Sequence, residues 1–282
     1  MKTRMRGTVA GLAMGASALA VAAAMGLPGV SASAAPARPQ GPGNVARPGR
    51  VPAPPKKTPP KGSSSAYTPP KRTLVYGDKG ADVTALQHRL IALHYWPGTV
   101  NGVFDFDTQE AVYAFQGING LTIDGSVGSK TAKALVSPRT YKAHDPGAAT
   151  RVEVDIKPSV EVLVFYKNNK ISLISHVSSG GGYYFCNPDG SCSYAVTPTG
   201  SYRANIFMPG WVTVPLGAMY NPVFFIGTDY AIHGDTAVPA YPASHGCVRI
   251  PDDIANWFYK QLDVRNIDGG SGTPIYVYSY NV

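Results

Sequence analysis

Between residues 74 and 136, apolar positions recur at helical spacing in three short runs. In "GADVTALQHRLIAL", Val83, Leu86, Leu90 and Leu93 share one face and Gly80 and Asp82 sit at the start, which predicts a first helix. "DTQEAVYAF" predicts a second. Asp107 followed three residues later by Glu110 has the form of a capping box, and Val112 and Phe115 supply the buried side. "SKTAKAL" predicts a short third helix. "NGVFDFDT" and "DGSVGSKT" each lead from an Asn/Asp-Gly turn to a Thr inside a helix, so the segment echoes itself. A compact three-helix bundle is expected, with little room for a catalytic cleft. His88 and His94 read as surface or packing residues.

Past the polar stretch "SPRTYKAHDPGAAT", the period changes to two. "VEVDI" alternates Val152, Val154 and Ile156 with Glu153 and Asp155. "VEVLVFY" and "ISLISHV" flank "KNNK", where Asn168 and Asn169 can take the positive φ angles of a tight hairpin turn. "FFIGTDYAIHG" and the closing "TPIYVYSY" are rich in β-branched and aromatic residues. One helix stands out, "PDDIANWFYKQL". Pro251 and two acids suit its amino end, and Ile254, Trp257 or Phe258, and Leu262 form its buried side. The expectation is a multidomain chain: the helical bundle, then a mostly-β sandwich or partly closed barrel with one or two helices.

Charge redistributes this picture. The 282 residues carry a formal net charge of +8, which invites a nucleic-acid reading. Residues 1–72, however, hold eleven Lys and Arg and no Asp or Glu, leaving fourteen basic against seventeen acidic residues in the remainder. The folding part is mildly acidic, so a basic nucleic-acid groove on it is not expected. "MKTRMRG" and the Ala-rich run "TVAGLAMGASALAVAAAMGL" read as the n- and h-regions of a secretory signal peptide over residues 1–34, cut near Ala34 after "ASA". The run is also long enough for an uncleaved anchor; cleavage would leave no stable membrane span. Residues 35–72 collapse to Pro, Ala, Gly, Ser, Lys and Arg, a disordered spacer that acts as a tether or is drawn to anionic envelope polymers. Residues 73–137 then form the helical module, 138–150 a linker and 151–282 the β domain.

The candidate chemistry centres on "ASHGCVRIP". Three cysteines in an exported chain leave one unpaired. Cys186 and Cys192 bracket "NPDGS", a turn that brings its ends together, and are expected to form a disulfide. Cys247 is then free, and only a small fraction of an ordinary thiol is ionised at neutral pH. His245, two residues away, and His233, on a separate strand end, are the candidate bases. Gly246 opens room for backbone N–H groups to face a carbonyl as an oxyanion hole. A nucleophile, a base and a donor loop are the parts of an acyl-transfer site. His233, His245 and Cys247 could instead supply three zinc ligands, but their spacing matches no usual zinc signature. No metal and no cofactor is expected.

Two resemblances follow from these residues. "LQHRLIALHYWPG", "VNGVFD", "AFQ" and "GLTIDGSVG" resemble the peptidoglycan-binding module of wall enzymes, which implies attachment to the wall. "IHG" followed by "SHGCVR", together with "VSSG", "TPTGSY" and "GTPIYVY", resembles the L,D-transpeptidase (YkuD-like) catalytic domain from about Val152 to Tyr278. That resemblance implies Cys247 as nucleophile and His233 as its base. It also implies Ser244, His245, Gly246 and Arg249 as the supporting loop, and Met208, Trp211 and Tyr220 among substrate-facing residues. Some relatives carry Ser after the base histidine where this chain has Gly234, so a backbone carbonyl or Asp235 is left to orient His233. The implied activity is an exported, cell-wall-associated peptidoglycan L,D-transpeptidase. It would act on stem peptides of the glycan polymer and be acylated by carbapenem-type β-lactams. A wall-degrading cysteine peptidase and a non-catalytic wall-binding protein are the competing readings.

Overall fold

A computed structural model describes residues 67–144 and 147–279; the expected signal peptide and nearly all of the spacer lie outside the described residues. The helical region comprises α1 (Ala81–Ala92), α2 (Phe106–Asn119) and α3 (Ser129–Val136). Val83, Leu86 and Leu90 of α1 are fully buried, as their spacing predicted. The capping box is displaced. Asp105 caps α2, its side chain accepting the Thr108 N–H at 3.1 Å, while Asp107 lies inside the first turn. The cap position needs extended backbone, which Asp105 has and a residue inside the turn does not.

Glu110, released from capping, is buried and reaches His176 Nδ1 at 2.8 Å. His176 belongs to the β domain, so the two regions meet through a buried polar pair. The surrounding seam is apolar. Leu86, Leu90, Val112 and Phe115 share one cluster with Val162, Val164, Tyr166 and Ile174. The Ile174 N–H also donates to the His94 carbonyl at 2.8 Å. The stretch expected as a loose linker is packed as well: the His144 N–H donates to Glu153 at 2.9 Å and its ring stacks on Tyr278 at 4.3 Å.

The β domain is built on two five-stranded sheets. The first runs β3 (Lys170–His176), β2 (Val162–Lys167), β1 (Arg151–Asp155), β12 (Pro274–Tyr278), β6 (Gly200–Arg203), with only β1 and β12 parallel. The second runs β11 (Val248–Pro251), β10 (Tyr230–Asp235), β9 (Gly217–Ile226), β7 (Ile206–Phe207), with β8 (Trp211–Val214) also on β9. A separate hairpin joins β4 (Tyr184–Cys186) and β5 (Cys192–Tyr194). Asn168 and Asn169 take φ 51° and 60° and turn β2 into β3.

Alternation then sorts the side chains. Leu163, Phe165, Ile275 and Val277 of the first sheet meet Val223, Phe225, Ile232, Val248 and Ile250 of the second in one core. The helix α4 (Asp252–Phe258) adds Ile254 and Phe258, a 3-10 turn follows at Tyr259–Gln261, and Leu262 closes the same core. A short α5 (Arg265–Asp268) precedes β12. The sheets do not close into a barrel. Each keeps its own edge strands, and burial of both inner faces is already complete without a shared ladder.

Candidate functional site

β10 and β11 run parallel, with Ile232 opposite Val248 and His233 opposite Arg249. Paired residues project to the same face and neighbours along a strand to opposite faces. Ile232, Val248 and Ile250 fill the core, so His233 and Arg249 belong to the other face. Cys247 belongs there too, since it packs with Ala231, Met219 and Phe224 in a separate cluster outside the main core. The parallel ladder thus gathers Cys247, His233 and Arg249 on one sheet face from two sequence positions.

The thiol is half-buried and makes no disulfide, whereas Cys186 and Cys192 are bonded to each other. Its sulfur accepts the Ala231 N–H at 3.4 Å and donates weakly to the Asp229 carbonyl at 3.7 Å. Among the described residues, no hydrogen bond joins it to an imidazole. Burial pushes the Cys247 thiol above its ordinary value, which the Ala231 N–H and the nearby Arg249 charge oppose. Burial likewise holds His233 below the ordinary imidazole value, countered by its bond to Gly234 and by Asp235. Both shifts run toward the neutral thiol and the neutral imidazole.

His233 Nδ1 lies 2.8 Å from the Gly234 carbonyl. A carbonyl only accepts, so Nδ1 carries the proton and Nε2 is the basic nitrogen. A backbone oxygen therefore orients the ring. Packing requires glycine at 234: a Cβ there would stand 2.7 Å from Asp252 Oδ1 and 2.9 Å from Ala255 Cβ, because the start of α4 packs against it. Asp235 instead lies 3.3 Å from Arg249 Nε, which ties the guanidinium to the strand carrying His233.

The loop before Cys247 is held from inside. Ser244 Oγ donates to the Cys247 carbonyl at 2.5 Å and accepts the Gly246 N–H at 3.0 Å. The Gly246 donor expected to face a carbonyl is therefore engaged within the loop. Gly246 sits at φ 142°, and a Cβ there would approach Tyr230 Cε1 to 2.7 Å and the Val196 carbonyl to 2.9 Å. Only glycine fits that position. His245 turns toward the disulfide hairpin, its ring meeting Phe185 at 4.8 Å and Tyr183 at 5.5 Å.

Of the residues expected to face substrate, Met208 packs in the same cluster as Cys247. Trp211 and Tyr220 pair with each other at 5.2 Å across β8 and β9, and Tyr220 leans on the main core. A cavity of ≈ 490 Å³ lies elsewhere, lined by Gly117, Arg139, Tyr141, His144 and Asp155 at the junction of the two regions, and neither Cys247 nor His233 lines it. Sequence reasoning missed Glu161 and Ser179, which lie directly behind the loop. Ser179 stands in the "VSSG" run, but nothing local to Glu161 distinguishes it from a strand residue.

Two family models match the chain: a peptidoglycan binding domain over residues 79–135 and an L,D-transpeptidase catalytic domain over residues 149–277. The crystal structure of the L,D-transpeptidase (residues 123–326) from Xylanimonas cellulosilytica is similar at 32% identity and a TM-score of 0.63, covering 75% of this chain and 100% of that one. The spore cortex-lytic enzyme of Bacillus cereus is 31% identical over 116 residues, 37% of this chain and 45% of that enzyme. Its namesake in Oceanobacillus iheyensis is 34% identical over 79 residues, 28% of this chain and 29% of that enzyme. The chain spans less than half the length of these curated relatives.

Proposed function

The chain belongs to the L,D-transpeptidase family, and from that premise we propose that it is an exported peptidoglycan L,D-transpeptidase that joins third-position residues of stem peptides. The observation that carries this reading is the common face at β10 and the start of β11, shared by a free thiol and an imidazole whose Nδ1 is held by a backbone carbonyl.

In the first half-reaction, His233 Nε2 takes the Cys247 proton and the sulfur attacks the carbonyl of the third residue of a donor stem. The C–S bond forms, the C–N bond to the terminal D-amino acid breaks, and the imidazolium returns its proton to the leaving amine. In the second, an acceptor amine attacks the thioester, His233 takes its proton, and the C–S bond breaks to restore the thiol. No cofactor enters. Ser244, His245 and Gly246 shape the loop, Arg249 organises the site or meets a substrate carboxylate, and Met208, Trp211 and Tyr220 line the approach. Carbapenem-type β-lactams should acylate the same sulfur.

We read residues 1–34 as a signal peptide and 35–72 as a spacer. In the same reading, 73–137 is a three-helix peptidoglycan-binding module, 138–150 a connector, and 151–282 the catalytic sandwich. The module would hold the enzyme on its polymer outside the cytoplasm and raise the local stem concentration. Hydrolysis of the same thioester is the second reading, favoured by the names of the spore cortex-lytic relatives. Incubation with purified tetrapeptide stems and mass spectrometry separates them. Dimers with loss of the terminal residue mean transpeptidation, and shortened stems alone mean hydrolysis. If Cys247→Ala behaves like the parent, neither reaction belongs to this site.

A further inference from the structure

Behind the nucleophile loop lies a carboxylate that the proposed reaction does not use. Glu161 precedes β2 at φ 41°, a left-handed backbone for a non-glycine residue, and its side chain is fully buried. Among the described residues it has no cationic partner. Its Oε2 accepts the Ser179 N–H at 2.8 Å and its Oε1 accepts the Ser179 hydroxyl at 2.9 Å. The Ser179 carbonyl in turn accepts the N–H groups of both Ala243 and Ser244 at 2.9 Å. Ser244 then holds the Cys247 carbonyl and the Gly246 N–H. Alongside, the Gly181 N–H donates to the Ser244 carbonyl at 3.0 Å. Thr197 Oγ1 accepts the Gly180 N–H at 2.9 Å and donates to the Gly246 carbonyl at 2.8 Å. The loop that carries the sulfur is thus clamped to residues 179–181, and Glu161 grips that segment from the core side.

An unpaired buried carboxylate and a left-handed non-glycine each cost stability, and such costs persist where the surroundings over-determine a functional geometry. We propose that Glu161 is a positioning residue: acting through Ser179, it fixes Ser244 and hence the backbone of Cys247 in the geometry from which the sulfur attacks. This rests on the reading of Cys247 as the nucleophile. The ionised carboxylate accepts two charge-assisted bonds from Ser179. Burial pushes its pKa up to about 7, the two Ser179 donors oppose the rise, and Asp155 on β1, the charged group acting on it, adds to it. Once protonated, either Oε1 becomes a donor and the Ser179 hydroxyl has to reverse to accept it, or a proton on Oε2 meets the Ser179 N–H, which cannot accept. The clamp therefore slackens as pH falls through about 7.

Glu161→Gln keeps one acceptor, puts a donor in place of the other and does not titrate, whereas Glu161→Ala removes both acceptors. On tetrapeptide stems, the full chain carrying Glu161→Ala should lose about 10- to 100-fold in kcat with KM changed by no more than about threefold. Glu161→Gln, which presents the acceptor and donor of the protonated carboxyl at every pH, should recover part of that loss and hold kcat near the wild type's low-pH level with no step near pH 7. A merely structural role would lower the melting temperature of both variants while leaving kcat of the folded fraction and its acid limb unchanged, and that result overturns the proposal. If Glu161→Ala does not fold, Ser179→Ala carries the same test with a smaller loss, about 3- to 10-fold. Iodoacetamide alkylation of Cys247, the one thiol outside the disulfide, reads the clamp without turnover. Slow alkylation in the Ala variant, partly restored in the Gln variant, supports positioning even if the wild type proves inactive on stems. Equal alkylation rates in all three proteins overturn it.

Discussion

At the site, burial and glycine placement set the chemistry more than charge does. Burial drives the Cys247 thiol and the His233 ring toward their neutral forms. Under the proposed reaction, His233→Ala should lower the rate on stem peptides by about 10²- to 10⁴-fold without changing the fold, read by steady-state kinetics beside a thermal melt. Gly234 is a packing requirement in the same site. Gly234→Ser would press a Cβ to 3.1 Å from the Asp252 Cα as well as into Ala255, and the start of α4 has to shift. A loss of about 1–3 kcal/mol is expected in denaturant unfolding; an unchanged midpoint would show that α4 yields freely.

Among the elements, the β4–β5 hairpin depends on its cross-link. Its strands are three residues each and largely exposed, with Tyr184 and Tyr194 paired at 5.3 Å on the outside. Little apolar area holds it, so the Cys186–Cys192 bond is its main constraint, at about 2 kcal/mol in the chain-entropy view. Removing both cysteines should speed amide exchange across residues 183–195, where Phe185 and Tyr183 cover His245, while the main core keeps its protection. The seam between α2 and β3 is the opposite case. Glu110 and His176 are both buried, so His176→Ala strands a carboxylate and should cost roughly 3–5 kcal/mol in unfolding experiments.

For the whole molecule, the helical region and the β domain share a core and are not beads on a string. Val162, Val164, Tyr166 and Ile174 are covered by α1 and α2, so a chain beginning at residue 147 would expose that stripe and should aggregate or melt well below the full chain. The same junction is sensitive to pH. Burial, then Asp253 and its acidic neighbours, pushes the Asp107 carboxyl up to about 8. The folded chain keeps that group protonated where the unfolded chain ionises it. Its contribution is complete below pH 4 and disappears as pH rises through about 8. Asp107→Asn should flatten the fall in melting temperature between pH 5 and 8.5; an unchanged slope would exclude Asp107 as its source.

What could be read along the chain was whatever adjacent residues decide. The Asn168–Asn169 turn, the pairing of Cys186 with Cys192 across a five-residue loop, the face of α1 and the free thiol of Cys247 all follow from short-range geometry. Assignment of the α2 cap to Asp107 failed because Asp105 offers the same chemistry two residues earlier, and the backbone chooses between them. Tertiary structure alone decided the rest. Glu110 finds His176 across 66 positions and Trp96 finds Asp253 across 157, and Glu161 reaches the Cys247 loop through Ser179. Burial converts such carboxylates from surface charges into anchors, and no local pattern records which ones the fold will enclose.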